Sequence, residues 1–340
     1  AGLPFDACPR QVLRRQVARL AERGWTLRTG IEPEFFLLRR TEGGFEPADP
    51  FDRLDKPSYD LKSLPRQREF LQALADGLTR CGLAVFQIDH EDAHGQYELN
   101  FHHADALTSA DHLMLFKMAA HTLAEERGMV FSMMPKPFAN QPGSGMHFHV
   151  SMLDDAGKNI FIEAVEGQYT DTILHALGGL RATMGESMLV FAPHANSWRR
   201  FASNSYAPVS PTWGVNNRSV ALRIPAGDIR ARRIEHRPAG VDANPYLVAA
   251  TVLAGIRHGM AHRIDPGPET TGNGYAEGAD APPIPVDWRS AIEAAKASDF
   301  LKAALGEDMH RTFTAIKAAE YARVMRTVSE VDFDLYLHTV

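Results

Sequence analysis

Cysteine is almost absent, since Cys8 and Cys81 are the only two in 340 residues. Two thiols support neither a disulfide framework nor a thiolate zinc site, which points to a reducing, cytoplasmic setting. Long apolar runs are missing too. The longest, Tyr246 to Ile256, falls well short of the roughly 20 residues that span a bilayer, and no signal peptide is visible. A basic excess is also lacking. With 36 Lys and Arg against 42 Asp and Glu, the net charge of -6 argues against a nucleic-acid partner, although local arginines leave room for small anions. Neither GxxxxGKS/T nor GxGxxG after a strand occurs, so any ATP must be held by other means.

What is present is an ordinary globular composition, 44% hydrophobic and 23% charged, in a length that suits one large core or two domains. The chain begins at Ala1 without an initiator methionine, as a piece of a longer protein would. Apolar spacing predicts helices over Cys8 to Arg23, Arg66 to Arg80, Asp105 to Arg127 and Thr170 to Glu186, and a largely helical C-terminal part from about residue 242. Strands are predicted at Ile31 to Leu38, Val85 to Ile88, Gln96 to Phe101, Met146 to Met152, Ser219 to Ile224 and Arg232 to Arg237. Thr41 to Lys56, His90 to Gly95 and Pro193 to Asn217 read as loops. Helices and strands alternate through irregular loops without an internal repeat, which fits an α/β or α+β enzyme fold.

The strands carry the chemistry. Glu32 and Glu34 are two residues apart in Ile31-Glu32-Pro33-Glu34-Phe35-Phe36-Leu37-Leu38, so in a strand both carboxylates point to the side of Phe36 and Leu38. Carboxylates in a covered space need partners or a metal. A salt-bridged pair at a strand edge satisfies the same pattern. Gln96, Glu98 and Asn100 share one strand face, His147 and His149 another, and Arg233, Glu235 and Arg237 a third. A sheet with a polar concave face gathers these groups, with Glu91, into one cavity. Oxygen ligands with one imidazole suit Mg2+ or Mn2+. Zinc on His147 and His149 is an alternative, but the chain has no His-Glu-x-x-His helix. Arg218, Arg223, Arg232, Arg233 and Arg237 lie within twenty positions, and guanidinium forks suit phosphate and carboxylate; each alone reads equally as a surface salt bridge.

Taken together, Glu32-Pro33-Glu34-Phe35-Phe36, His90-Glu91 with Gly95-Gln96-Tyr97-Glu98, Met134-Pro135-Lys136-Pro137, Gly143-Ser144-Gly145-Met146-His147-Phe148-His149, Asn217-Arg218-Ser219, Arg232-Arg233-Ile234-Glu235 and Ala243-Asn244-Pro245-Tyr246-Leu247 resemble the catalytic domain of glutamine synthetases, the bacterial class in particular. The resemblance runs from about Cys8 to the C-terminus. It implies an α+β catalytic domain over residues 1–340, with a curved, mostly antiparallel sheet flanked by helices, and a homo-oligomer of double-ring, dodecameric form. It also implies that the family's small N-terminal β domain is absent from this chain. By motif, Glu34, Glu91 and Glu98 would hold one divalent ion, and Glu32, His147 and Glu235 a second on the phosphates of ATP. Arg218 and Arg223 would steady the transferred phosphoryl group. Arg200 and Arg237 would take glutamate carboxylate, Gly143 would contact the amino acid, and Arg233, His149 and Ser151 would contact ATP along with Arg223.

The implied reaction phosphorylates the γ-carboxylate of glutamate and then joins it to a nitrogen nucleophile. Two departures bear on that nucleophile. Tyr206 stands where the family carries a glutamate that helps deprotonate ammonium, and a phenol with an ordinary pKa near 10 is a poor base at neutral pH. Pro142 stands where the family has an asparagine. The acceptor implied is an amine larger than ammonia, touched by Tyr206 or Trp213. Ammonia itself, as in a true glutamine synthetase, and a silent structural or regulatory member are the competing readings.

Overall fold

The computed structural model describes residues 2–163, 165, 167–202, 205–276 and 281–338. Its organising element is β1 (Thr26–Thr41), a long strand that pairs along its length with five others. The strands β2 (Gly44–Pro47), β4 (Gln96–Phe101), β5 (Ala104–Asp105), β6 (Val130–Ser132) and β7 (Met146–Leu153) all run antiparallel to it. β3 (Val85–His90) extends the sheet beyond β4. On the other side β10 (Ile234–His236) pairs with β7, then β9 (Leu222–Ile224) and β8 (Trp213–Val215) follow, and β8–β9 is the parallel pair. The order β3-β4-β1-β7-β10-β9-β8 makes an open, mostly antiparallel sheet in an α+β fold.

Alternation along β1 divides the interior. Ile31, Phe35 and Leu37 enter the main core, packed with Phe148, Tyr97 and Phe116. Phe36 and Leu38, on the face of Glu32 and Glu34, build a smaller cluster with Ala93, closed by Val130 and Phe138. The polar face is therefore sealed at one end by apolar side chains and left for chemistry at the other.

Helices cover the apolar face. The first, α1 (Pro9–Ala21), has Pro9 in its first turn and buries Val12, Leu13, Gln16 and Leu20. Beyond it lie α2 (Arg68–Arg80), α3 (Ala106–Glu125), α4 (Asp171–Phe191) and the short α5 (Ala195–Trp198). In α6 (Pro245–His262), Asn244 caps the helix by accepting from the amides of Tyr246 and Leu247, with Pro245 just inside. That is the local reason for the Ala243-Asn244-Pro245 motif. α7 (Trp288–Ala297), α8 (Asp299–Leu305), α9 (Glu307–Arg326) and α10 (Glu330–Tyr336) complete the helical C-terminal part.

Short strands lie outside the predicted ones, β2 and β6 among them. Thr41 and Gly44 pair across Glu42-Gly43, so β2 forms a hairpin inside the stretch read as loop. Short β6 pairs with Phe36 to Leu38. Both escape a periodicity reading because strands this short span too few residues to show an alternation. Arg233 and Arg237 flank β10, not within it.

Candidate active site

Cross-strand register assembles the site. Glu98 on β4 sits directly opposite Glu34 on β1, Glu32 on β1 opposite His147 on β7, and Glu235 on β10 opposite both His149 on β7 and Arg223 on β9. Glu98 also faces Asp89 on β3. Like charges directly opposite one another destabilise a sheet. A stripe with carboxylates on four of five successive strands is therefore a costly arrangement that a bound cation would relieve.

The stripe floors a cavity of about 530 Å3 lined by Glu32, Glu34, Glu91, Glu98, His147 and Glu235, and by Arg200, Arg218, Arg223, Arg237, Gly143 and Tyr206. A second cavity, of about 750 Å3, is lined by His149, Ser151 and Arg233 together with Arg28, Phe86 and His102. Glu32 and Asn100 line both, so the two spaces adjoin at the carboxylate stripe. Every residue that the sequence singled out for chemistry, Trp213 excepted, lies on one cavity or the other. Arg232 differs in kind from its neighbours: it is buried in a pair with Glu163 and lies over the Tyr169 ring, so its guanidinium holds the fold. Trp213 is also a core residue. It is 5% exposed and its indole donates to the Gly267 carbonyl, so the contact with the acceptor suggested for it is withdrawn.

The carboxylates differ according to their partners. Burial raises the pKa of Glu91 to about 8, helped by Glu34, Asp92 and Asp89. Burial and the charges of Glu32, Glu34 and Glu91 push Glu98 up as well. For Glu235 burial is outweighed by Arg237, His147, His149 and Arg223, which bring it down to about 2. Burial acts upward on Glu32 also, but His147 and His149 outweigh it and hold the carboxyl well below its usual range. Two acids pushed up chiefly by burial, beside two held ionised, form a donor set that a divalent cation would complete.

The two histidines have distinct settings. Arg233 Nε donates to His149 Nδ1 at 2.9 Å, which leaves Nε2 to carry the ring proton, 2.9 Å from Glu32 Oε1. His149 thus presents an N–H to the stripe. His147 Nδ1 lies 3.5 Å from Glu32 and 3.7 Å from Glu235, without an arginine on its ring. Its placement fits a metal ligand, and that of His149 fits a donor to an anion. Glu32 with Glu98 and His147, and Glu32 with His149 and Glu235, are groups whose ligand atoms lie close enough to share an ion.

Arginines form the opposite wall. Arg223 donates to Glu235 at 2.7 Å and to Asn216 at 2.7 Å, and Arg237 donates to Glu235 and to the Tyr206 carbonyl. The Nε atoms of Arg223 and Arg237 are buried and lack a hydrogen-bond partner among the described residues. Buried donors without partners are costly. Arg200 is 5% exposed and is held by the carbonyls of Pro238 and Arg237 at 3.0 and 3.3 Å. Gly143 and Gly145 allow it this close. A Cβ on Gly145 would stand 2.7 Å from Arg200 Nη2, and one on Gly143 would stand 2.5 Å from the Pro135 carbonyl. The Gly145 amide also donates to Glu34 at 2.8 Å, and Gln96 donates to the same oxygen at 3.2 Å.

Several lining residues escaped the sequence reading, among them Lys56, Ser58, Tyr59, Asp89 and Asp92. Asp89 had a signal, because it stands two residues before Glu91. Tyr59 had none: it comes from the loop before α2, and its side chain hydrogen-bonds Arg218, which raises the pKa of that guanidinium.

Comparison with known proteins agrees with this geometry. The profile for "Glutamine synthetase, catalytic domain" matches residues 6–336. A glutamate–methylamine ligase of Methyloversatilis universalis is 37% identical, over 99% of this chain and 78% of its own length. The gamma-glutamylputrescine synthetase of Escherichia coli is 35% identical, over 99% and 72%. A glutamine synthetase of Thermus thermophilus is 34% identical, over 99% and 77%. A solved GmaS/ADP complex superposes with a TM-score of 0.91 at 34% identity, covering 99% of this chain and 78% of that one. The chain belongs to the glutamine synthetase family, in its catalytic domain.

Proposed function

We propose that this protein is an ATP-dependent carbon–nitrogen ligase that phosphorylates the γ-carboxylate of glutamate and condenses the product with an amine. The observation that carries the reading is the carboxylate stripe between two adjoining cavities, one walled by arginines and the other by His149, Ser151 and Arg233. The names of the relatives support the same class.

In this reading Glu34, Glu91 and Glu98 hold one Mg2+ or Mn2+ ion, and Glu32, His147 and Glu235 hold another. Bound there, the ions neutralise charge on the phosphoryl oxygens. Arg233, His149 and Ser151 orient ATP in the larger cavity. Arg200 and Arg237 face the amino acid, with the Gly143 backbone at its side. A γ-carboxylate oxygen attacks the terminal phosphorus of ATP, and ADP leaves with the electron pair. Arg218 and Arg223 stabilise the transferred group electrostatically. The amine nitrogen then bonds to the γ-carbonyl carbon, the bond from that carbon to the phosphate oxygen breaks, and phosphate departs with the electrons. The ammonium form gives up one proton before attack and one after it, both to water in the open cavity.

A second reading, a glutamine synthetase that uses ammonia, is supported by relatives of that name. A silent scaffold is disfavoured, because a scaffold has no use for an unneutralised carboxylate stripe. We place residues 1–340 in one catalytic domain, working in the cytoplasm as a double-ring dodecamer without nucleic-acid or membrane partners. Among the described residues no helix is long and apolar enough to cross a membrane. Light scattering on the purified protein tests the assembly.

The deciding experiment follows phosphate release with ATP, Mg2+ and glutamate while ammonia and a panel of amines are compared. Release that requires both glutamate and an amine supports the reading. No release with any acceptor overturns it.

A further inference from the structure

Arg200 lines the carboxylate cavity from a segment too short to hold itself. The helix before it, α5, is one turn of four residues, and its own hydrogen bonds do not offset the cost of fixing a single turn. The Arg200 amide donates to the Ser197 carbonyl at 3.2 Å, so the main chain of the arginine goes where Ser197 goes. Ser197 is 1% exposed, and its hydroxyl donates to Asp242 Oδ2 at 2.6 Å. His194 meets the same oxygen through Nδ1 at 2.8 Å. One carboxylate oxygen thus gathers both members of the capping box that opens the helix.

The segment that carries Asp242 also grips the other end of the arginine. The carbonyls of Pro238 and Arg237, a few residues before Asp242, accept from the Arg200 guanidinium at 3.0 and 3.3 Å. Main chain and side chain of Arg200 are therefore both referred to one stretch of chain, and Asp242 closes the circuit between them. Asn196 and Trp198 tie α5 down as well, but to Lys136 and to the Ala192 carbonyl, neither of them on that stretch. Closing the circuit is costly. Asp242 Oδ1 is buried without a hydrogen-bond partner among the described residues, and a Cβ on Gly240 would stand 2.6 Å from it. A carboxylate that leaves one oxygen unmatched while the other takes two donors serves position better than stability.

We propose that Asp242 is a positioning residue for the amino-acid substrate: through Ser197 it sets the place and direction of Arg200, and so governs affinity for glutamate without touching it. This rests on the ligase reading above, in which Arg200 takes a carboxylate of glutamate. Asp242, Ser197 and His194 are not among the residues that line the carboxylate cavity, and Asp242 and His194 line a different one, of about 400 Å3. A guanidinium fork binds a carboxylate through two parallel hydrogen bonds, a geometry that tolerates little displacement. Arg237 faces the same substrate but is aligned by Glu235, so it keeps its place when Asp242 is lost. Glutamate binding should weaken without vanishing.

The test measures initial rates of phosphate release with Mg2+ and the best acceptor from ammonia and a panel of amines, titrating glutamate and ATP in turn. The proteins compared are the parent, Asp242→Ala, Ser197→Ala, the double alanine variant and Asp242→Asn. Asp242→Ala and Ser197→Ala should each raise the glutamate KM by about tenfold, the scale of one charge-assisted hydrogen bond, and leave the ATP KM within about twofold. The double variant should be little worse than the worse single one, because both changes break one link. Asp242→Asn keeps an acceptor for Ser197 and should stay within about threefold of the parent. A merely structural role lowers the melting temperature and the amount of active enzyme, hence the apparent kcat, and does not move KM.

A glutamate KM that stays within about twofold in Asp242→Ala overturns the inference while leaving the ligase reading intact. So do equal rises in the KM of glutamate and of ATP, or single effects that multiply in the double variant. Should Asp242→Ala fail to fold, Ser197→Ala decides alone: a raised glutamate KM supports the inference and an unchanged one overturns it. A parent inactive with glutamate and every acceptor sinks the ligase reading itself, and the inference with it.

Discussion

His90 Nε2 lies 2.7 Å from Oδ2 of Asp52, and both side chains are closed to solvent. The same oxygen accepts from the Gly95 amide at 2.6 Å, while His90 Nδ1 meets the Glu91 carbonyl at 2.8 Å. Gly95 is itself irreplaceable in this turn, with φ at 71° and the Leu37 carbonyl 2.9 Å from where a Cβ would stand. Asp52 therefore anchors both ends of the loop that carries Glu91. Burial pushes its carboxyl up, but the His90 and Gly95 hydrogen bonds outweigh that and keep it below the usual range.

Asp52→Asn should destabilise the protein by about 3–5 kcal/mol, the cost of leaving one member of a buried pair unmatched. It should also weaken Mn2+ binding, because Glu91 loses its anchor. Urea unfolding and a Mn2+ titration read the two effects separately. An unchanged midpoint would mean that the loop is held by other contacts.

Glu163 and Arg232 provide the contrast. Their pair is equally buried but belongs to the fold, with Asn159 closing it from the Arg232 carbonyl side. Glu163→Gln should lower stability by a similar amount, about 3–5 kcal/mol, through the arginine left unpaired. Well below its new melting temperature the variant should keep phosphate-release kcat/KM within about twofold of the parent, since surviving folded molecules have an intact site. A large loss of kcat/KM at that temperature would place Arg232 in the chemistry after all.

The carboxylate stripe also sets a pH dependence. Glu91 has its pKa raised from 4.5 to about 8 by burial and neighbouring acids, and Glu98 moves the same way. Between these values the folded state binds more protons than the unfolded one, so metal-free stability falls as pH rises from about 4.5 to about 8. Glu32 and Glu235, held down, are ionised in both states over the upper part of that window and add no slope there. A cation reverses the loss by favouring the ionised forms. The thermal shift produced by saturating Mn2+ should therefore be larger at pH 8 than at pH 6, and equal shifts would dissociate the stripe from metal binding.

Gly145 tests the geometry around Arg200. A Cβ there would stand 2.7 Å from Arg200 Nη2 and 3.2 Å from His147 Nε2. Both contacts are ends of side chains, so Gly145→Ala should fold while displacing both groups. A misplacement on the order of 1 Å near the chemistry costs roughly 100-fold in rate. Phosphate release should fall on that scale with the melting temperature nearly unchanged, and parent-like kinetics would mean that neither group needs its present position.

Much of the site was legible because strand alternation is a property of the backbone. Glu32 with Glu34, Gln96 with Glu98, and His147 with His149 are spaced by two, and any strand puts such pairs on one face. The capping sequence Ala243-Asn244-Pro245 was equally local. The strands β2 and β6 were not legible, since so few residues show no period and only their pairing with β1 defines them. Arg232 and Arg233 are neighbours of one type just before β10, and only the fold sends one to Glu163 and the other to His149.

The sequence by itself therefore determined the donor chemistry and the faces: which carboxylates, histidines and arginines exist, and which share a side of their own strand. Tertiary structure alone decided the register that sets Glu34 opposite Glu98 and Glu32 opposite His147. It also decided the burial that drives the acid pKa values apart. The reason is physical. Alternation needs only two residues of one chain, whereas register and desolvation arise when distant segments meet and constrain one another.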